Sequence, residues 1–273
     1  MMVSFFRRFA QSIRHAPILR SLSPVWSLLR KPYLRLLNTF AKREGLLVSV
    51  GGYKIRLHPD FATQNWEKIE YDSYQAFAGL LRPGDTVFDI GAHIGTYTLL
   101  ALQRIGAQGR VFAYEPHAFT CRYLKQHLEW NGGTERTTVR EVCCGASEGN
   151  ADFYCRYGQT DGMNSMIPTE GFDKKTVYVT TLDREVEMAG LRPSLIKIDV
   201  EGAEWDVLKG AVQTIAKYHP IIFLSLHPTA LRKLGVTYNQ VLDWIAERGY
   251  RYGIINEDHE IHVVATKLNN SEL

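Results

Sequence analysis

The sequence predicts an α/β fold, a mostly parallel sheet with helices on both faces. Three segments carry that expectation. Val87-Phe88-Asp89-Ile90-Gly91-Ala92-His93-Ile94-Gly95 and Ile196-Lys197-Ile198-Asp199-Val200-Glu201-Gly202-Ala203-Glu204 are apolar runs that end in an acid and small residues. Each is followed by a helix-like stretch, the pattern of a buried parallel strand opening onto a ligand crevice. Between them, Val111-Phe112-Ala113-Tyr114-Glu115-Pro116 is another such strand, its acid 26 residues after Asp89. Three acids on three strand ends suit a nucleoside.

The elements follow in order. Residues 46–58 read as a hairpin turning at Gly51-Gly52. Helical stretches are expected across 61–81, closed by Pro83-Gly84-Asp85. Strand 86–90 leads to helix 95–105, and strand 110–115 to helix 117–130. Strand 137–143 comes next. Residues 150–182 have hairpin composition around a loop from Gly158 to Ser165. A short helix at 183–189 precedes strand 195–200 and helix 203–211. Strand 220–226, helix 238–248 and a terminal antiparallel pair at 250–255 and 260–266 complete the pattern. Alternating β and α units imply the parallel sheet.

A chain of 273 residues holds one large α/β domain, here expected over 46–273, with a separate arm before it. Apolar content of 45% and charged content of 22% are those of a globular protein. Cys121, Cys143, Cys144 and Cys155 lack CxxC spacing, which argues against zinc and for reduced thiols in a cytoplasmic setting. No apolar run is long enough to span a bilayer.

Charge is unevenly placed. Residues 1–43 hold nine basic residues and no acid, so the remainder carries a formal −6 beneath the total of +3. Phe5, Phe6, Phe9 and Ile13 share one helical face, with Arg7, Arg8 and Arg14 opposite; Trp26, Leu29, Tyr33, Leu36 and Phe40 form a second apolar stripe. Three readings of this basic amphipathic arm, residues 1–45, stay open. It packs on its own domain, it docks peripherally on the inner face of a membrane, or it is an organelle transit peptide. The acidic body argues against a nucleic-acid partner.

The turn Gly91-Ala92-His93-Ile94-Gly95 combines a sharp bend at Gly91 with a second glycine for close backbone approach at Gly95. A dinucleotide fingerprint would read G-x-G-x-x-G, but His93 stands at its second glycine, and Asp89 precedes the turn. A carboxylate there suits a cationic ligand better than a pyrophosphate. S-adenosylmethionine (SAM), with an ammonium and a sulfonium and no phosphate, fits. Glu115 suits the ribose hydroxyls.

These residues resemble the FkbM family of SAM-dependent methyltransferases. The stretches that carry the resemblance are RPGDTVFDIGAHIGTYTLLAL (82–102), VFAYEPHAFTCRYLKQHLEWNG (111–132) and VTTLDREVEMAGLRPSLIKIDVEGAEWDVLKGA (179–211). The resemblance implies a class I methyltransferase fold, a Rossmann-like sheet of seven strands whose last strand is antiparallel. It implies that Asp89, Gly91, Ala92, His93 and Gly95 hold the methionine end of SAM. Glu115-Pro116 would hold the ribose, in a segment that includes Asn131, and Cys144-Gly145 would lie near the adenine. The loop with Asn164 and Ser165 would stand at the mouth of the active site, beside the substrate. One departure is visible. Where the family tends to show Glu, any residue, His after its fifth strand, this chain has Ser225-Leu226-His227.

The expected reaction is methyl transfer to a hydroxyl of a small molecule or glycan, such as a lipid-linked or surface polysaccharide. A hydroxyl needs a base near the methyl group. Asp199 is the first candidate, either as base or as partner of the SAM amine; His227 is the second. Glu201 follows Asp199. Glu204 either contacts the substrate or caps its helix. Lys197 shares a strand face with Asp199 and should be paired, as part of the catalytic group or as a structural ion pair. No metal is expected, although Asp199, Glu201 and His227 are an alternative set of ligands for a divalent ion. Two other functions stay open: a non-catalytic SAM-binding relative and a nicotinamide-dependent oxidoreductase.

Overall fold

The computed structural model describes residues 44–61, 64–66, 68–257 and 260–268. The basic arm lies outside the described residues.

The described chain opens with a hairpin of β1 (Leu46–Val50) and β2 (Tyr53–Leu57). Gly51 and Gly52 sit at φ 51° and 82°, the paired left-handed conformation of a tight hairpin turn. A 3₁₀ turn at Pro59–Phe61 follows, and helix α1 starts only at Tyr71, running to Leu80. The helix expected from 61 is thus shorter, because Glu70 at φ 47° breaks the approach to it.

Next come β3 (Thr86–Ile90), α2 (Thr96–Arg104), β4 (Arg110–Tyr114), α3 (Ala118–Trp130) and β5 (Thr137–Arg140). The strand expected over 137–143 is two strands. At Glu141-Val142 the chain leaves the main sheet, and β6 (Cys143–Cys144) joins β7 (Gly149–Cys155) and β8 (Asp173–Thr180) in a small sheet of order β6-β8-β7. Helix α4 (Leu182–Ala189), capped by Thr181, returns to β9 (Leu195–Ile198). The helix expected at 203–211 is α5 (Glu204–Lys209), and a second helix, α6 (Val212–Tyr218), follows a break at Gly210. That break has a packing cause: a Cβ at Gly210 would fall 2.0 Å from the carbonyl oxygen of Gly145. Strand β10 (Ile221–Leu226), α7 (Pro228–Lys233), α8 (Tyr238–Glu247), β11 (Tyr250–Glu257) and β12 (Ile261–Lys267) complete the chain.

The main sheet has the order β11-β12-β10-β9-β3-β4-β5. Strands β10, β9, β3, β4 and β5 pair in parallel, and β12 pairs antiparallel with both neighbours. This is the class I methyltransferase fold, with the last strand reversed. Side chains alternate between its two faces. Val87, Leu195 and Phe223 pack with Tyr74, Phe77, Tyr97 and Leu100 on one face. Phe88, Ile196 and Leu224 pack with Val186, Val207, Val241 and Ile245 on the other. The sheet is therefore buried on both sides, and its parallel strands all end at the same edge. There the crevice opens, where ligands bind in open α/β sheets.

Candidate active site

The first turn of the crevice is built by backbone. The N–H groups of Gly91 and Ala92 both donate to Tyr114 O, at 3.0 and 2.9 Å, tying the end of β3 to that of β4. Gly91 has φ 78°, and a Cβ there would sit 1.7 Å from Asp199 O. Its missing side chain thus lets the turn press against the exit of β9. Gly95 serves a packing contact as well: a Cβ would meet Leu124 of α3 at 2.4 Å.

Glu115 closes β4. Its Oε2 accepts the His93 N–H and its Oε1 the His117 N–H, both at 2.9 Å. Burial pushes the carboxyl up to about 7 against the pull of those two bonds. The Nε2 of His93 is shielded and has no hydrogen-bond partner among the described residues, and burial lowers the ring to about 4, so it is neutral near pH 7.

Asp89 does not face the cavity. It is 0% exposed, accepts from Thr98 Oγ1 at 2.5 Å, and lies 3.2 Å from Lys197 Nζ. Lys197, 1% exposed, also donates to Gly91 O at 2.8 Å and pairs with Asp199 at 3.5 Å. Burial alone would depress its ammonium; Asp89 and Asp199 reverse that and push it up to about 12. Asp89 is therefore the buried counter-ion of Lys197 beneath the turn.

At the exit of β9 the acids differ in character. Burial raises the Asp199 carboxyl, but Lys197 above all, with His227, holds it below the ordinary carboxylate range. Glu201 is pushed up to about 8 by burial, with Asp199 and Glu260 adding to it. Glu201 adopts φ 55°, a conformation that costs a non-glycine residue ~1–3 kcal/mol and is held where surrounding contacts demand it. One such contact is the hydroxyl of Ser165, which donates to Glu201 O at 2.8 Å.

His227 ends β10. Its Nδ1 lies 2.8 Å from Glu204 Oε1, and its Nε2 lies 3.4 Å from Glu201, 3.3 Å from Glu260 and 3.9 Å from Asp199. Burial would lower it, but hydrogen bonds to Glu204 and Glu260 and the surrounding charge raise it to about 12. An imidazolium has no lone pair with which to take a proton, so the base expected at His227 is instead a fixed cation. Glu204 is 0% exposed and does not line the cavity; Oε1 also accepts the Gly202 N–H at 2.7 Å. In this geometry it ties the Gly202 turn, ahead of its own helix, to His227.

The cavity measures ≈ 330 Å³. Gly91, Ala92, His93, Glu115, Pro116, Cys144, Asn164, Lys197, Asp199 and Glu201 line it, while Asp89, Gly95, Gly145, Ser165, Glu204 and His227 stand behind its wall. Asn164 Nδ2 lies 3.2 Å from His117 Nδ1, which ties the loop after β7 to the segment that follows β4 and Glu115. Asn131 is far from that role. It clamps β2, its Oδ1 accepting Arg56 N–H and its Nδ2 donating to Arg56 O, both at 2.9 Å. All four cysteines are buried and unpaired, and burial raises the thiol of Cys144 well above the usual range.

Sequence reasoning missed Glu70, Tyr97, Glu260 and His262. The hydroxyl of Tyr97 donates to Glu70 Oε2 at 2.9 Å. Ser225 pairs directly with His262 across the sheet, and Glu260, just before β12, reaches His227. An acid missing at position 225 is thus matched by one from the neighbouring strand. A carboxylate two residues before a histidine, in Glu260-Ile261-His262, was the available signal.

The lining carboxylates (Glu70, Glu115, Asp161, Asp199, Glu201 and Glu260) face one ammonium, Lys197. That donor set fits the cationic amine and sulfonium of SAM and repels a pyrophosphate. Tyr114, Val142, Cys143, Cys144 and Phe153 give one end of the cavity an apolar lining suited to a purine.

A family model, the methyltransferase FkbM domain, matches residues 89–252. The hexuronic acid methyltransferase AglP of Haloferax volcanii is 26% identical over 191 residues, which covers 68% of this chain and 76% of that protein. Among solved structures, a methyltransferase FkbM from Methylobacillus flagellatus KT superposes with TM-score 0.49 at 19% identity; the match covers 76% of this chain and 52% of that one, so the chain spans about half its length. A SAM-dependent O-methyltransferase from Thermotoga maritima gives TM-score 0.45 at 17% identity, over 83% and 79% of the two chains. The matched segment runs from the acid of β3 to the edge strand β11, and on it the chain belongs to the FkbM family of methyltransferases.

Proposed function

We propose that this methyltransferase uses SAM to methylate a hydroxyl of a sugar or glycan. The observation that carries the reading is the exit of β9, where Glu201 and Asp199 stand side by side on the cavity wall with unlike proton affinities.

When bound, SAM would supply an electrophilic methyl group on a sulfonium that departs as a neutral thioether, so the acceptor hydroxyl has only its proton to lose. The chain's own residues do the rest. Glu115, held by two backbone N–H groups, keeps lone pairs for the ribose hydroxyls. Asp199, ionised, faces positive charge. Glu201, with proton affinity near the working pH, takes the acceptor's proton; a base so placed contributes ~10²–10⁴-fold. His227, held as a cation by Glu204 and Glu260, orients Glu201. Lys197 fixes Asp199 and the Gly91 turn in one geometry. Asn164 and Ser165 hold the loop that covers the mouth.

The acceptor class draws on the likeness to an enzyme of hexuronic acids. The second acid position, Glu260, argues for turnover and against a merely binding relative. Membrane docking through residues 1–43 would bring a lipid-linked glycan to the crevice; among the described residues no helix is long and apolar enough to cross a membrane.

The test is titration calorimetry with SAM on the wild type and Glu115→Ala, followed by transfer of a labelled methyl group to hexoses, hexuronic acids and glycolipids. Micromolar SAM binding lost in the variant, with label in a sugar ether, supports the reading. A folded wild type that binds no SAM sinks it.

A further inference from the structure

Glu260 turns its two oxygens to two different imidazoles. Oε2 lies 3.3 Å from His227 Nε2 and Oε1 lies 3.8 Å from His262 Nε2. The two rings are not alike. His227 has a carboxylate facing each of its ring nitrogens. His262 is 1% exposed, and its Nδ1 is 2.7 Å from Asn256 Oδ1. An amide oxygen only accepts, so Nδ1 carries the hydrogen. Nε2 therefore presents a lone pair, and it has no hydrogen-bond partner among the described residues. It faces Glu70 Oε2 at 3.7 Å as well as Glu260. A lone pair aimed at two carboxylates in a buried site is repulsive unless a carboxyl proton or a bound cation lies between them, and three such groups converging on the cavity wall have the makings of a cation shell.

We propose that Glu70, Glu260 and His262 bind one divalent cation whose remaining coordination positions open onto the crevice. The three ligand atoms lie within 4.8 Å of one another. A cation with ligands at ~2.1 Å spans ligand pairs ~3–4 Å apart, so sub-ångström shifts close the shell. One imidazole and two carboxylates suit a first-row divalent ion of the manganese, iron or zinc type rather than a soft one. Asn256 fixes the ring, as outer-shell acceptors do for metal-binding histidines. Glu70 and Glu260 line the cavity while His262 closes the site from behind. By distance, Asp199, His227 and Glu260 also qualify, but both ring nitrogens of His227 already have carboxylate partners, Glu204 at 2.8 Å and Glu260 at 3.3 Å, whereas His262 Nε2 has none within hydrogen-bond distance among the described residues. The cation's use rests on the proposed methyl transfer. It would hold and acidify the acceptor hydroxyl, and it would let an acidic sugar enter a crevice lined with carboxylates.

Metal-stripped full-length protein is titrated with manganese(II) and the free ion is followed by electron paramagnetic resonance. SAM is titrated calorimetrically on the same samples. The expected result is one ion per chain, lost in His262→Gln and Glu260→Gln. Asn256→Ala, which removes only the outer acceptor, should weaken binding ~10–100-fold and serves if the ligand variants fail to fold by near-UV circular dichroism. SAM binding without manganese binding overturns the cation site and leaves methyl transfer standing. Manganese binding without SAM binding does the reverse. Binding unchanged in His262→Gln, or lost only in His227→Gln, overturns the placement.

Discussion

Position 201 joins backbone strain to a proton-accepting side chain. Glu201 holds φ 55° and lines the cavity. Glu201→Gln should lower kcat by ~10²–10⁴-fold with little change in SAM affinity. Glu201→Gly should lose the same activity yet keep or raise Tm, because glycine adopts that φ freely. A Tm several degrees lower in the glycine variant would show that the side chain, not a strained backbone, is what the position contributes to stability. Lys197 is the other decisive residue here. Lys197→Met leaves Asp89 buried and unpaired beneath the turn, at a cost of about 3–5 kcal/mol in urea unfolding. Glu115 titrates near 7 in the free protein. The ribose hydroxyls donate to the ionised carboxylate, which is a better acceptor than the carboxylic acid, so SAM affinity should rise with pH up to about 7 and then level off. Calorimetry across pH 5.5–8.5 checks this; a flat profile in the wild type would remove Glu115 from the binding site.

At the scale of elements, α3 ties the hairpin to the cofactor turn. His127 accepts the His58 N–H at its Nε2 and bonds Ile94 O through its Nδ1, both at 2.8 Å. Removing the ring orphans two backbone groups, so His127→Phe should cost roughly 2–5 kcal/mol. Burial lowers the His127 imidazole to about 4, against 6.5 in an unfolded chain. Below pH 6.5 the unfolded chain takes up a proton that the folded ring refuses. Stability from this group is thus fully present above 6.5 and is lost as pH falls towards 4. The gap between wild type and His127→Phe should narrow by up to ~3 kcal/mol across that window. A gap independent of pH would mean that the folded ring accepts the proton. Composition placed the hairpin of β7 and β8, expected over 150–182, but not the short strand β6 that joins it in the small sheet β6-β8-β7. Its strand β6 breaks from the main sheet at Glu141-Val142, and it carries the loop that bears Asn164 and Ser165.

The whole molecule joins a basic N-terminal segment to an acidic body. Residues 44–273 carry a formal −6, against nine basic residues and no acid before them. Basic residues near an anionic surface contribute ~1 kcal/mol each at most. Vesicles containing anionic lipid should therefore sediment the full chain, and a chain starting at Glu44 should stay in solution. Equal sedimentation of the two would remove membrane docking.

The strands and most helices were legible because their signals are local. Period-two burial, strand-end acids and glycine turns are written within a few residues of each other, and by the same local signals Glu115, Lys197, Asp199 and Glu201 could be expected to line the cavity, as they do. Proton affinity and facing were not. Asp89 reads as a cofactor ligand in the turn, yet tertiary packing turns it under Gly91 towards Lys197, which comes from a strand more than a hundred residues later. His227 reads as a base, yet three carboxylates from the exit of β9 and a fourth from just before β12 surround it and favour the cation. Glu70 and His262 meet only because α1 and β12 converge on one end of the sheet. The sequence determined which groups could act, because residue type and spacing are encoded locally. The tertiary structure decided which of them act together, because charge, burial and lone-pair direction depend on neighbours that only the folded sheet supplies.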